Sequence, residues 1–289
     1  MLDPKTVLLL VLALIGAAFI VFWAWALRRA HQAGASVAPT PYELLVGFVT
    51  DFFDTLGIGS FATTTSLYRA RAAIDDRLLP GTLNVGHALP TVVQAFIFIK
   101  GVKVETTTLV LMIAAAVAGA LLGAPIVARW PRQRIQFGMG LALLVLCSIL
   151  IYRQFTDPAG GTDEGLQGAM LAIGVVGNFA LGALMTIGIG LYAPCLVLVC
   201  LLGMNQRTGF PIMMGSCAFL MPLASVPFVR QASYAPRAAL GLTLAGVPAV
   251  LIAGLIVEEL PLYWVKWIVA VVVVYTALNL LRAARLRPA

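Results

Sequence analysis

The sequence predicts an all-α integral membrane protein. One N-terminal transmembrane helix precedes two inverted repeats, each of three spanning helices plus one re-entrant or broken helical hairpin. Three observations carry that prediction. The chain has 289 residues, 61% hydrophobic and 11% charged, and its mean hydropathy is +0.98; a soluble domain is nearer half apolar and a quarter charged. Two groups of four apolar segments show the same landmarks in the same order. The Lys/Arg distribution becomes one-sided only if one segment of each group folds back on itself.

Composition removes other classes. The net charge is +7, from 19 Lys+Arg against 12 Asp+Glu. The basic residues sit in short breaks such as Arg69-Ala70-Arg71 and Arg129-Trp130-Pro131-Arg132, not in a long arm. That pattern fits orientation signals in membrane loops and argues against a nucleic-acid partner. Glu258 and Glu259 read as loop residues. Cys147, Cys195, Cys200 and Cys217 all lie in apolar runs, with no CxxC and no His at ligand spacing. They read as small hydrophobes, so neither a metal site nor a cofactor is expected.

The elements follow in order. The run from Thr6 to Leu27 is longer than a signal-peptide core and lacks a clear cleavage site, so it reads as a membrane helix. Asp3 and Lys5 nearly cancel before it, and Arg28 and Arg29 follow it. This asymmetry places the N-terminus outside. Later apolar segments run over 43–68, 79–99, 106–128, 135–152, 168–201, 209–229, 238–257 and 262–281. The hydrophilic stretch Asp157 to Glu164 divides them. The predicted organisation is therefore 1–41 as helix and cytoplasmic loop, 42–154 as first repeat, 155–167 as extramembrane linker, and 168–289 as second repeat and cytoplasmic tail.

The duplication rests on register. Thr55-Leu56-Gly57-Ile58-Gly59-Ser60-Phe61-Ala62 aligns with Thr186-Ile187-Gly188-Ile189-Gly190-Leu191-Tyr192-Ala193. Pro80 then matches Pro211, and Pro131 matches Pro261, each at an offset of about 130. Such repeats are common in secondary transporters. If every segment spans once, the two sides hold 9 and 10 Lys/Arg. If 43–68 and 168–201 are hairpins, the split is 13 against 6, with the rich side cytoplasmic. Each half then has three full spans. Three is odd, so the halves are inverted and their glycine turns approach near the midplane. Reaching half of a roughly 30 Å core takes about 10 helical residues.

Chemistry concentrates at those turns. Irregular backbone at membrane depth must be buried in protein or line a cavity. A helix restarts after each turn, and its free N–H groups attract anions. Gly57, Gly59, Gly188 and Gly190 make the turns, and Ser60, Thr63 and Thr64 open the first new helix. The competing reading is that the glycines only allow tight helix packing. Asn84 and His87 lie at i, i+3 on one helix face, either lining the same cavity or holding helices together. Cys217 is either a ligand-reactive thiol or packing. Asp51 and Asp54 also lie at i, i+3, where a charge costs about 3 kcal/mol or more. They are either a proton relay or a structural feature of the arm. Their places in the second half, close to Leu181 and Leu184, are apolar.

These residues resemble the sulfite exporter TauE/SafE family of membrane transport proteins. The resemblance covers most of the chain after residue 42. It rests on Gly47 to Ala62 and on Gly119-Ala120-Leu121-Leu122-Gly123-Ala124-Pro125 running into Arg129-Trp130-Pro131. Gly188-Ile189-Gly190 with Pro194, and Ala245 to Pro261, are the second-half counterparts. The family commonly has a glycine triplet followed by proline at the first turn; here Thr63 falls where that proline would be. The resemblance implies export of sulfite, sulfoacetate or related organosulfonates across a plasma membrane of prokaryotic type, with no enzyme activity. The alternative is an anion channel or a proton-coupled permease for another small anion. Both termini follow from charge: N-terminus outside, C-terminus cytoplasmic. The sequence sets no oligomeric state; a homodimer is the working assumption.

Overall fold

The computed structural model describes residues 3–75, 77–123, 161, 163–259 and 262–285, with scattered positions between 133 and 152. Segment 124–132 with Pro131, part of the 135–152 segment including Cys147, the linker stretch 153–160, and Pro261 lie outside the described residues. Described regular structure is helical: α1 (Pro4–Gln32), α2 (Pro41–Thr55), α3 (Ser60–Ala70), α4 (Leu79–Gly101), α5 (Thr106–Ala118), α6 (Gly168–Met185), α7 (Tyr192–Leu201), α8 (Gln206–Arg230), α9 (Pro236–Glu259) and α10 (Leu262–Arg285). One turn of π-helix, Gly119–Gly123, continues α5. Among the described residues, six helical stretches are long and apolar enough to cross a bilayer, namely α1, α4, α5 with its π turn, α6, α8 and the Pro236–Ile256 part of α9. By length and composition the chain is a multi-pass membrane protein.

Burial separates central from peripheral helices. On α1 the buried positions are Leu12, Gly16, Phe19 and Trp23, one helical stripe. Val7, Leu10, Leu14, Ile20 and Val21 on the same helix stay exposed, as apolar side chains facing lipid do. In contrast, α4 and α8 are mostly buried, and they pack against each other at the centre. Close approach elsewhere depends on small residues. A Cβ on Gly47 of α2 would sit 2.7 Å from Leu242 Cα of α9. A Cβ on Gly182 of α6 would overlap the Ala116 carbonyl of α5. So α2 lies against α9, and α6 lies against α5. Likewise α4 touches α9 and α8 touches α5.

The two interrupted segments fold back. Thr40 caps α2: its hydroxyl accepts from Glu43 N–H, and Glu43 Oε2 accepts from Thr40 N–H at 2.6 Å. Arg237 Nε donates to Glu43 at 3.0 Å, tying the start of α9 to that cap. The helix ends at Thr55, and Gly57 and Gly59 take φ of 96° and 83°, values that L side chains rarely adopt. Tyr42 O–H, from the first turn of α2, donates at 2.6 Å to the Leu67 carbonyl near the end of α3. Arg71 stacks over the Tyr42 ring at 4.3 Å. The two arms therefore run side by side. In the second segment Gly188 has φ 83°. Gly177 of α6 packs on Leu198 of α7, and Gly174 on Leu202.

Candidate functional site

The two breaks face each other. A Cβ on Gly59 would lie 4.0 Å from Tyr192 Cβ, and a Cβ on Gly190 would lie 3.9 Å from Phe61 Cβ. These are the aligned positions of the two glycine motifs, each meeting the other's partner. Phe61 in turn packs beside His87, with ring centroids 6.2 Å apart. Gly57 faces Phe210 and Met213 of α8 at 3.7 Å.

Behind the breaks lies a buried polar network. Asp51, Asp54, Thr64, His87 and Gln94 are all 2% exposed or less. Its first branch runs through His87. Nδ1 lies 2.8 Å from Asp51 Oδ1, so an ionised Asp51 accepts from Nδ1–H. Nε2 lies 3.0 Å from Thr64 Oγ1. Asp51 Oδ2 is buried with no hydrogen-bond partner and fills the space beside Gly246 of α9, where a Cβ would overlap it.

The second branch runs through Asp54. Oδ1 accepts from the Ser60 N–H at the start of α3, and Oδ2 accepts from Gln94 Nε2 at 2.9 Å. Gln94 Nε2 also donates to Thr55 Oγ1 at 3.0 Å. Tyr192 O–H donates to Gln94 Oε1. Thr55 completes the branch by donating to the Asp51 carbonyl at 2.8 Å. The network thus joins α2, α3, α4 and the first residue of α7.

The sequence-named residues divide by location. Asp51, Asp54, Ser60, Thr64 and His87 belong to the network, and Gly57, Gly59, Gly188 and Gly190 shape the breaks around it. Thr63 is turned into its own helix, donating to the Ser60 carbonyl at 2.8 Å. Asn84 donates to the Pro80 carbonyl at 2.8 Å, and its Oδ1 is buried without a partner. Cys217 is buried, with its thiol 3.4 Å from Met185 Sδ. Among the described residues no group of three or more His, Cys, Asp or Glu could hold a metal ion. Gln94, Thr55, Tyr192 and Thr91, whose hydroxyl donates to the His87 carbonyl at 2.8 Å, escaped sequence reasoning. His87, Thr91 and Gln94 lie at i, i+4, i+7, one face of α4, and that period is the signal that could have found them.

The breaks are not a simple pair of open anion cradles. The N-terminus of α3 is already occupied by a carboxylate of this chain, Asp54. At α7 the corresponding first-turn positions are Tyr192, Ala193 and Pro194. No protein-family model, curated protein or solved structure matches the chain.

Proposed function

We propose that the chain is a secondary transporter exporting small sulfur oxyanions or organosulfonates by alternating access around the two helix breaks. The observation that carries this reading is the reciprocal approach of Gly59 to Tyr192 and Gly190 to Phe61 over a buried, titratable network. A contact in which each motif meets its partner's counterpart is the mark of a two-fold relation. The helix neighbours support the same relation: α2 with α9 repeats as α6 with α5, and α4 with α9 repeats as α8 with α5. Taken with the three spans per half that the charge count assigns, that two-fold would relate inverted repeats, and substrate sites in such transporters lie at the repeat interface.

The anion sits at the start of α7 in this reading, because Asp54 fills the start of α3. Backbone N–H groups there present the positive end of the helix dipole. The Lys/Arg split sets the cytoplasmic face. An inside-negative potential contributes about 2.3 kcal/mol per charge per 100 mV, which favours an outward anion by roughly 50-fold. The test is efflux of sulfite and sulfoacetate from proteoliposomes. Saturable flux above protein-free vesicles is expected, and no flux of either overturns the proposal.

A second reading draws on one observation. Thr64, His87 and Asp51 stand in the order hydroxyl, imidazole, carboxylate, as in nucleophilic hydrolases. Ester or sulfonate turnover in detergent, with no two compartments, would favour it over transport.

A further inference from the structure

Asp51 and Asp54 are one helical turn apart, yet their surroundings treat them differently. Each oxygen of Asp54 receives a fixed N–H donor: the Ser60 backbone on one side and Gln94 on the other. Neither donor can turn into an acceptor. Ser60 N–H belongs to the backbone, and Gln94 is held by Thr55, whose hydroxyl donates to the Asp51 carbonyl and so can only accept from Gln94 Nε2. Two such donors match an ionised carboxylate. Asp54 therefore closes the break as a permanent cap on α3.

Asp51 is served by groups that can reverse. His87 bridges it to the Thr64 hydroxyl. A hydroxyl both donates and accepts. With neutral His87, Nδ1–H donates to Asp51 and Thr64 O–H donates to Nε2. With one more proton, Nε2–H donates to Thr64 Oγ1 instead. No heavy atom needs to move between these states. Asp51 Oδ2, buried and unpartnered, offers a second place for a proton.

We propose that Asp51, His87 and Thr64 form a proton-exchange site whose proton is taken up together with the transported anion, while Asp54 remains ionised as a structural clamp. The coupling half of this proposal rests on the anion-transport reading; the proton site itself does not. The titratable groups facing the site are Asp54 from α2, Tyr68 from α3, Tyr192 from α7 and Cys217 from α8. The adjacent surface of α9 is Gly246. With His87 neutral, the two carboxylates carry two negative charges beside the breaks. An arriving anion is repelled by both. One added proton offsets half of that charge, so proton and anion favour each other's binding, and by linkage the effect is reciprocal.

The chain has only two histidines, His31 and His87, which makes a direct test practical. Nitrogen-15 histidine NMR on the full chain in nanodiscs reads the protonation of both rings, with His31→Gln giving the assignment. The probe is isethionate, whose sulfonate stays ionised throughout, so any proton taken up belongs to the protein. The expected result is a His87 transition between about pH 5 and about pH 9 that moves upward by about one pH unit, a tenfold change in proton affinity, at saturating isethionate. Thr64→Val should lower the midpoint by a similar amount, since Nε2–H then lacks an acceptor. His87 signals that stay constant over that range, with and without isethionate, overturn the proposal whether or not the protein transports anions. A carboxylic-acid infrared band lost in Asp54→Asn but kept in Asp51→Asn also overturns it. A His87 transition with no isethionate response supports the proton site and instead sinks the anion coupling.

Discussion

Replacing Asp54 by asparagine tests the direction of every hydrogen bond around the first break. Asp54 accepts on both oxygens, from Ser60 N–H and from Gln94 Nε2–H. An asparagine has one acceptor and one donor at its tip. Whichever way the amide turns, its NH2 faces an existing N–H. One bond to a charged acceptor is lost, worth about 1.5–3 kcal/mol, and a buried donor is left unmet at about 1–3 kcal/mol. The expected destabilisation of Asp54→Asn is therefore about 3–5 kcal/mol. Adding Gln94→Glu reverses the polarity of the partner. The new amide NH2 at position 54 then donates to one oxygen of the new carboxylate at position 94. The amide oxygen still accepts from Ser60 N–H, and Tyr192 still donates to the other carboxylate oxygen. The negative charge is conserved, moved by one side chain. Thr55 loses a donor but keeps its own bond to the Asp51 carbonyl. The double variant should recover about 2 kcal/mol relative to the sum of the single changes. Reversible unfolding in mixed micelles, followed by tryptophan fluorescence, measures all four corners of the cycle. A single Asp54→Asn variant within about 0.5 kcal/mol of the parent, or strictly additive effects, would refute the assigned donor directions.

Three further outcomes are expected. Gly47→Ala places a methyl 2.7–2.9 Å from backbone atoms of Leu242 and Gly241; backbone cannot give way as a side chain can, so a loss of about 1–3 kcal/mol or more should appear in the same unfolding assay. Phe61→Cys with Gly190→Cys brings two Cβ atoms to 3.9 Å, inside the usual disulfide range; mild oxidation should cross-link them, seen by mass spectrometry, and block efflux if the breaks must separate. Partial desolvation pushes the Glu105 carboxyl up, but the N–H groups of Thr108 and Thr107 outweigh it and hold it at about 2, below its ordinary 4.5. A depressed value stabilises the fold above the unfolded value and is lost as pH falls through the folded one. Stability measured against pH should therefore lose its Glu105 share between about pH 4.5 and about pH 2, and Glu105→Ala should remove that part of the slope.

Sequence and structure meet most closely where geometry is local. Gly57, Gly59 and Gly188 are legible because φ of 83–96° leaves little choice of residue. That several apolar runs are long enough to cross a bilayer is legible from length and composition alone, whereas the Thr40/Glu43 cap went unnamed although its spacing of three is readable. The folding back of 43–68 follows from charge counting, and the Tyr42–Leu67 bond gives it a specific contact. What escaped is what depends on distant segments meeting. Gln94 looks like an ordinary polar residue in an apolar helix until Tyr192, far along the chain, bonds to its amide. Asp54 looks like one member of a pair with Asp51 until the Ser60 N–H separates their roles. The π turn at Gly119–Gly123 is likewise invisible as pattern, because it answers to Phe179 and Ala183 on α6.

The register that pairs Gly59 with Gly190 also pairs Asp51 with Gly182, and Asp54 with Met185. The proposed repeats thus differ most at their matching arm contacts. In the second half Gly182 meets the Ala116 carbonyl, a tight apolar crossing of α6 on α5. At the first-half arm, Gly246 of α9 makes room for a carboxylate, and α2 crosses α9 around Asp51 Oδ2. If that carboxylate serves proton exchange and not the fold, packing can be restored without it. Gly246→Ala alone puts its methyl onto Asp51 Oδ2 and 2.8 Å from Pro90 Cγ, an overpacking worth about 1–3 kcal/mol. Adding Asp51→Ala empties the space the methyl needs and gives the first half a crossing like the second. The double variant should be more stable than Gly246→Ala alone by at least about 1 kcal/mol, while the His87 transition loses its Asp51 partner and shifts to lower pH. If the double variant is no more stable than the single one, Asp51 is not what the methyl meets. If it regains stability and the His87 transition does not move, the carboxylate is filling space and holds no proton.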